Sequence, residues 1–151
     1  MSMFAKIFPR HISNDYPGRP IARWFFIFLT IITIGRSLVH IFALDGGAQS
    51  IATIPLDTFS PNGAATVILV FSLWGLSQLL IGLIYALVIW RYQALIPFMY
   101  LLMSLEYSAR ILLGLWKPIV TAGTAPGGVG NYVAAPLAFL MMILSLQKGR
   151  D

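Results

Sequence analysis

The fold of this chain is decided by residues 96–115, which have the sequence IPFMYLLMSLEYSARILLGL. A run of about 20 mostly apolar residues is long enough to cross a bilayer as a helix. This run carries Glu106, the only glutamate of the chain, and Arg110 one helical turn later. A charge near the centre of such a span costs about 2.5 to 3.5 kcal/mol or more. We therefore expect both side chains to have polar partners inside a bundle of helices.

The composition places the whole chain in a membrane. Of its 151 residues, 58% are hydrophobic and 10% are charged, whereas soluble domains carry about a quarter charged residues. Four apolar runs, at about 21–44, 64–90, 94–116 and 130–146, have the length of transmembrane helices. The predicted fold class is all-α, a four-helix transmembrane bundle over 21–147, with a basic arm at 1–20 and a short tail at 148–151.

The positions of the basic residues predict the orientation. Cations lie before the first span, in the short turn after the second and behind the fourth: Lys6, Arg10, Arg19, Arg23, Arg91, Lys148 and Arg150. The two longer loops share only Lys117. Because Lys and Arg concentrate in cytoplasmic segments, both termini are expected in the cytoplasm. The same distribution is not that of a nucleic-acid-binding face, so no nucleic acid is expected as a partner.

Five polar side chains fall at a similar depth in three of the spans. From the helical rise, Glu106 and Gln78 lie near the midplane, Arg36 slightly outside it, and Arg110 and His40 about 6 Å beyond Glu106 and Arg36 respectively. We take these five as a candidate ligand-binding or proton-linked cluster and assign no catalytic residue. Helical phase adds the expected lining residues Thr33, Trp74 and Tyr85, and Tyr107 is the fourth residue of the expected lining.

The fourth span contributes no charge to this cluster. It carries instead a stripe of small residues, Gly130, Ala134 and Ala138. Such a stripe allows close approach of two helix backbones, and we expect it to close the bundle.

Two interpretations of the cluster stay open. In the first, Glu106 and Arg36 form a structural ion pair with Gln78 as a further hydrogen-bond partner, and Arg110 extends to the outer headgroups. In the second, the cluster is a binding site. Two arginines and a histidine face a single carboxylate, so the excess positive charge requires either Asp45 or Asp57 from the loop, or an anionic or carbonyl-bearing ligand.

Several chemistries find no support in the sequence. Cysteine is absent, which excludes disulfides, thiolate metal sites and thiol redox chemistry. The only histidines are His11 in the basic arm and His40 in the first span, so a haem held by two histidines of this chain is not expected. No metal-binding spacing, phosphate-binding glycine loop or Ser-His-Asp arrangement occurs.

The four-span layout, with Gly35-Arg36 in the first span and the segment Glu106 to Arg110 in the third, resembles the DoxX-like proteins. These are small four-helix bacterial membrane proteins. The resemblance implies a multi-pass protein of the bacterial inner membrane that acts beside a redox partner or a quinone. The absence of cysteine argues against a thiol-linked role.

The function expected from these observations is that of a non-catalytic accessory or interaction subunit of a larger membrane complex, for example one of respiratory or photosynthetic electron transfer. Its partners would be the lipid bilayer and other membrane proteins or further copies of the chain. The alternative is a binding or transport protein whose cluster holds a quinone, an anionic lipid or a proton, with a pigment as another cofactor to consider. A third hypothesis is a membrane enzyme that uses Glu106 or His40 as acid or base. An open cavity at the cluster would favour the second and third hypotheses, and a filled core the first.

The charge distribution makes a prediction about orientation. A peptide tag on either terminus should be reachable only from the cytoplasmic side, because the cations flank that side. Membrane-impermeant labelling of intact cells should leave a terminal tag unlabelled, whereas a tag in the loop at 45–63 should be labelled. External labelling of a terminal tag would contradict the predicted orientation.

Overall fold

The computed structural model describes residues 3–149. Its five α-helices are α1 (Met3–Ile7), α2 (Pro20–Phe42), α3 (Pro61–Arg91), α4 (Ile96–Trp116) and α5 (Pro126–Leu146). Two short 3-10 turns, Leu56–Thr58 and Gln93–Leu95, precede α3 and α4, and none of the described residues forms a β-strand. The helices α2 to α5 are long and apolar enough to cross a membrane. The prediction of an all-helical chain with four such helices is therefore confirmed.

Proline begins three of the long helices and explains where they start. α3 begins at Pro61 and α5 at Pro126, three and four residues before the predicted spans. Proline suits the first turn of a helix, because its φ is already helical and its missing N–H would have had no partner there. The hydroxyl of Ser60 also caps α3 by accepting the N–H of Gly63 at 3.2 Å. Sequences that indicate turns, such as Pro61-Asn62-Gly63, are thus the first turns of helices.

The long helices pack mainly as two hairpins, α2 with α3 and α4 with α5. Glycines on α3 bring the first pair close together. A Cβ atom at Gly75 would lie 2.7 Å from the Cβ of His40, and one at Gly82 would lie 2.8 Å from the Cγ1 of Ile34. The seam between α2 and α3 therefore has no room for a side chain at either position.

The hydrophobic core lies at the end of the bundle where α2 begins and α5 ends, which we call the terminal end. Its buried members come from all four long helices: Ala22, Phe26, Tyr85, Val88, Ile96, Met99, Tyr100, Met103, Ala138, Met141 and Met142. The hydroxyl of Tyr100 donates to the carbonyl of Ala22 at 2.6 Å and joins α4 to α2. The terminal end is thus the packed half of the bundle.

The predicted basic arm lies across this packed end. The N–H of Ala94 donates to the carbonyl of Ser13, and the N–H of Arg19 donates to the carbonyl of Leu144, both at 3.2 Å. The ring of Phe8 lies 5.4 Å from that of Phe98, between ring centroids. The arm therefore links the two hairpins where they already meet.

At the opposite end, which we call the loop end, the hairpins separate. The buried residues of α4 stop at Ser104 and those of α5 begin at Ala138. A Cβ atom at Gly130 would meet no atom within 4 Å. The stripe Gly130, Ala134 and Ala138 was expected to close the bundle, and only Ala138 is buried. The first half of α5 instead lies beside two cavities, described below, that separate it from α2.

The close seam between α2 and α3 yields a stability prediction. Gly75→Ala should lower the free energy of unfolding by about 1 to 3 kcal/mol, because the added methyl overpacks a site closed by backbone and by His40. Thermal unfolding in one detergent measures the effect. Gly114→Ala on α4 is the matched control, since a Cβ there meets no atom within 4 Å and alanine favours a helix. Equal stability of Gly75→Ala and wild type would contradict the close seam.

Candidate functional site

A chain of hydrogen bonds connects three of the four long helices. On α2, Nη2 of Arg36 donates to Oε1 of Gln78 on α3 at 3.0 Å. The Nε2 of Gln78 donates in turn to Oε1 of Glu106 on α4 at 3.0 Å. Arg110 completes the chain, because its Nε donates to the same oxygen at 3.2 Å and its Nη2 forms an ion pair with it. We call Arg36, Gln78, Glu106 and Arg110 the polar network.

The network differs from the ion pair expected between the first and third spans. Glu106 pairs with Arg110 on its own helix, and Gln78 stands between Glu106 and Arg36. Arg110 does not extend to the headgroups. It lies back along α4 towards Glu106, with 19% of its side chain exposed. One carboxylate oxygen thus organises both an ion pair and a bridge between helices.

The indole of Trp74 lies against both guanidinium groups. The guanidinium carbon of Arg36 is 5.5 Å from the ring centroid, and that of Arg110 is 5.0 Å away. The guanidinium carbon of Arg110 also lies 5.9 Å from the ring of Tyr107. Such cation–π contacts hold cations in place where water is scarce. The structure therefore brings Trp74 and Tyr107 to the cluster, as the sequence predicts.

His40 is buried beside Trp74, with 3% of its surface exposed and the two ring centroids 4.7 Å apart. Its Nδ1 lies 2.7 Å from the carbonyl oxygen of Gly46. Because a carbonyl can only accept, Nδ1 carries the proton, and in the neutral ring Nε2 is left as an acceptor. Gly46 has a φ of +60°, a conformation that favours glycine. A glycine of the first loop thus fixes the tautomer of His40.

The loop aspartates do not neutralise the network. The carboxylate of Asp45 accepts backbone N–H groups of Gly47, Gln49 and Ser50 at 2.9, 3.1 and 2.6 Å. Burial opposes its charged form, but these hydrogen bonds outweigh burial and hold the pKa of Asp45 at about 2. Asp57 lies in the 3-10 turn Leu56–Thr58, beside another cavity. Between residues 3 and 149, Arg110–Glu106 is the only salt bridge.

Two guanidinium groups therefore face one carboxylate, which leaves one positive charge without a counterion. The Nε of Arg36 is also buried without a hydrogen-bond partner. Desolvating an unbalanced cation is costly unless other groups stabilise it. The network lacks one anionic or acceptor group.

Two residues of the predicted lining lie elsewhere. Tyr85 is buried in the core of the terminal end, with its ring 5.3 Å from that of Phe26, between centroids. It follows Gln78 by two helical turns, which places it about 10 Å further from the loop end. Thr33 lies buried in the seam between α2 and α3, where its carbonyl accepts the hydroxyl of Ser37 at 2.6 Å. Neither residue lines the cavity beside the network.

A cavity of about 290 Å³ opens beside the network at the loop end. Arg36, His40, Trp74 and Arg110 form its polar and aromatic wall. The first loop, α3 and the start of α5 with its preceding residue complete the wall with Ile51, Ala52, Phe71, Ala125, Pro126, Gly127, Gly128 and Asn131. The contribution of α5 was not predicted, because residues 126–128 have the composition of a loop. Asn131 could have been found as the only side-chain amide of the fourth span.

The first turn of α5 adds to the positive character of this cavity. N–H groups at the start of a helix lack partners within the helix, and the helix dipole is positive there. At the start of α5 the N–H of Gly128 already donates to the carbonyl of Ala125 at 3.0 Å, so the N–H of Gly127 is the one that remains available to the cavity. The cavity thus combines two guanidinium groups, a buried histidine and a helix start. Within the described residues, no group of three or more His, Asp or Glu could hold a metal ion.

No protein-family model, curated protein or solved structure matches this chain. The resemblance to the DoxX-like proteins therefore stays a prediction. The function has to be inferred from the cavity and the residues around it.

The polar network yields a prediction for Glu106. Glu106→Gln should lower the free energy of unfolding by about 1 to 3 kcal/mol, because the variant leaves two guanidinium groups with no counterion. Thermal unfolding in detergent measures this loss. Asp57→Asn is the control, since Asp57 is an exposed carboxylate without an ion pair, and its stability should equal that of wild type. Wild-type stability of Glu106→Gln would contradict the role of Glu106 as counterion.

Proposed function

We propose that this chain is a membrane protein that binds a ligand through an anionic or carbonyl oxygen in the cavity at the loop end. The observation that carries the proposal is the guanidinium charge without a counterion on the wall of that cavity. A ligand oxygen would supply the acceptor that the network lacks. An anionic lipid or a quinone from the bilayer would meet this requirement. The presence of an open cavity favours this function over the accessory role expected first.

Each residue of the cavity wall would make a different contribution to ligand binding. Arg36 and Arg110 supply charged donors in a planar fork, the geometry that matches a carboxylate or phosphate. Trp74 holds both guanidinium groups in place by its contacts at 5.5 and 5.0 Å. The N–H of Gly127 at the start of α5 adds a donor. Because Nδ1 of His40 donates to Gly46, its Nε2 is left as an acceptor for a hydroxyl of the ligand.

The pairing of Glu106 supports a structural role for this residue within the site. Its Oε1 accepts from Gln78 and Arg110 together, so the carboxylate is engaged in orienting the two donors. This favours a counterion over a catalytic acid or base. Gln78 then acts as the spacer that sets the position of Arg36 relative to Arg110.

A second candidate function is that of a subunit in a larger membrane complex. It is favoured by the exposed apolar side chains on the loop-end halves of α4 and α5, which include Leu112, Leu115, Trp116, Val129, Tyr132 and Val133. In a membrane these side chains meet lipid, a partner protein or a second copy of the chain. A partner present in stoichiometric amount after purification in mild detergent would support this role.

The proposed function is tested by the small molecules that co-purify with the protein. Mass spectrometry of the wild type, purified from its native membrane in mild detergent, should detect a bound anionic lipid or quinone in near-stoichiometric amount. Arg36→Gln should lose most of this ligand, because it removes a charged donor from the cavity. Arg91→Gln is the matched control, since Arg91 lies at the end of α3 far from the cavity.

Folding of the variants is checked by thermal unfolding. If Arg36→Gln is unstable, Arg36→Lys retains the charge while losing the fork, and it should keep part of the ligand. Equal ligand content in wild type, Arg36→Gln and Arg36→Lys would contradict the proposed function. A wild type that carries no ligand and takes up none from added lipid or quinone would also contradict the proposed function.

A further inference from the structure

A second cavity, a groove of about 250 Å³, lies between α2 and α5. Its wall is apolar except for one phenol, and its principal residues are Phe28 and Leu29 of α2, Tyr107 of α4, and Gly130, Ala134 and Leu137 of α5. The groove exists because the stripe of small residues on α5 does not approach α2. The groove can hold an apolar chain, and it opens where the two hairpins separate.

The groove begins where the polar cavity ends. On α5, Gly130 of the groove is the chain neighbour of Asn131 of the cavity. On α4, Tyr107 of the groove lies against Arg110 of the cavity, with the guanidinium carbon 5.9 Å from the ring centroid. From this junction the groove leads along α2 and α5 towards the terminal end. A molecule in both cavities would have a polar head at the loop end and an apolar chain beneath it.

We propose that the ligand is a single-chain amphiphile, a long-chain carboxylate whose head lies between Arg36 and Arg110 and whose chain lies in the groove. This inference rests on the proposed function and specifies its ligand. A single groove provides space for one chain, which disfavours a two-chain phospholipid. The single positive charge without a counterion matches a head with one negative charge.

Other ligand head groups match the single unbalanced positive charge of the cavity less well than a carboxylate does. A phosphate monoester carries about −1.5 to −2 at neutral pH, which exceeds the one charge to be balanced. A quinone is neutral and would leave the guanidinium charge uncompensated. A carboxylate has two oxygens in the plane of the guanidinium fork and brings one charge. Charge balance thus selects a carboxylate among the ligands that the proposed function allows.

The extent of the groove sets an expectation for chain length. Along α2 the distance from Arg36 to Phe25 at the far end of the groove is about 16 Å, and along α5 that from Asn131 to Leu137 is about 9 Å. Within this length, each methylene that enters the groove should tighten binding about threefold to fourfold. Affinity should therefore rise steeply from butyrate to dodecanoate.

The test compares binding of dodecanoate and butyrate to wild type and Gly130→Leu. Titration calorimetry on protein held in an amphipathic polymer avoids competition from detergent micelles. Gly130→Leu places a side chain in the groove, and it should fold, because a Cβ at Gly130 meets no atom within 4 Å. Gly114→Leu is the matched control, since Gly114 has the same free space and lies outside both cavities.

Gly130→Leu is expected to weaken dodecanoate binding at least tenfold and to leave the weak binding of butyrate unchanged. Gly114→Leu should bind dodecanoate as wild type does. Dodecanol, which lacks the charge, should bind at least tenfold more weakly than dodecanoate.

Each contrary result identifies the claim that fails. If Gly130→Leu binds dodecanoate with wild-type affinity, the ligand chain does not lie in the groove, and that claim fails. The proposed function would still stand if Arg36→Gln lost the binding of both butyrate and dodecanoate. Dodecanol or dodecyl phosphate binding more tightly than dodecanoate would overturn the carboxylate head. Carboxylate binding that is unaffected by both Arg36→Gln and Arg36→Lys would contradict the proposed function itself.

Discussion

A carboxylate inside an apolar helix requires donors, and the organisation of this bundle follows from how Glu106 obtains them. Arg110 reaches back from one turn further along α4, and Gln78 crosses from α3. Gln78 has a second polar group, its carbonyl oxygen, and this accepts from Arg36 of α2. Three helices are thereby held at one level by a single oxygen and a single amide. Because Arg36 is reached through a neutral amide, its charge stays without an anion.

The two halves of the bundle serve different purposes. At the terminal end, aromatic and methionine side chains form a dry core, and the N-terminal arm binds across it. At the loop end, the guanidinium groups and Trp74 line an open cavity, and the small residues of α5 do not form a seam with α2. The open half therefore depends on the packed half for stability, and the cavity depends on the network for its charge.

Much of this arrangement follows from the sequence, because the length of a span, its apolar content and the depth of its polar residues can be counted along the chain. They predicted four apolar helices and placed five polar residues in one slab of the membrane, from its middle to its outer third: Arg36, His40, Gln78, Glu106 and Arg110. The pairing among these residues could not be predicted, since it depends on rotamers that the neighbouring helices select. Gly130 and Ala138 look alike in sequence, yet Ala138 lies in the core and Gly130 beside a groove. The contact of His40 with Gly46 joins a helix to a loop glycine, and local sequence carries no signal for it.

The most direct test of the account is the accessibility of the cavity wall to a water-soluble thiol reagent. The chain contains no cysteine, so single-cysteine variants can be made without background. In protein reconstituted in lipid bilayers, Asn131→Cys, on the cavity wall, should react readily with a charged maleimide. Ser104→Cys, at a site only 9% exposed, should react at least tenfold more slowly. Equally slow reaction at both positions would show that the loop end is closed and would contradict the account.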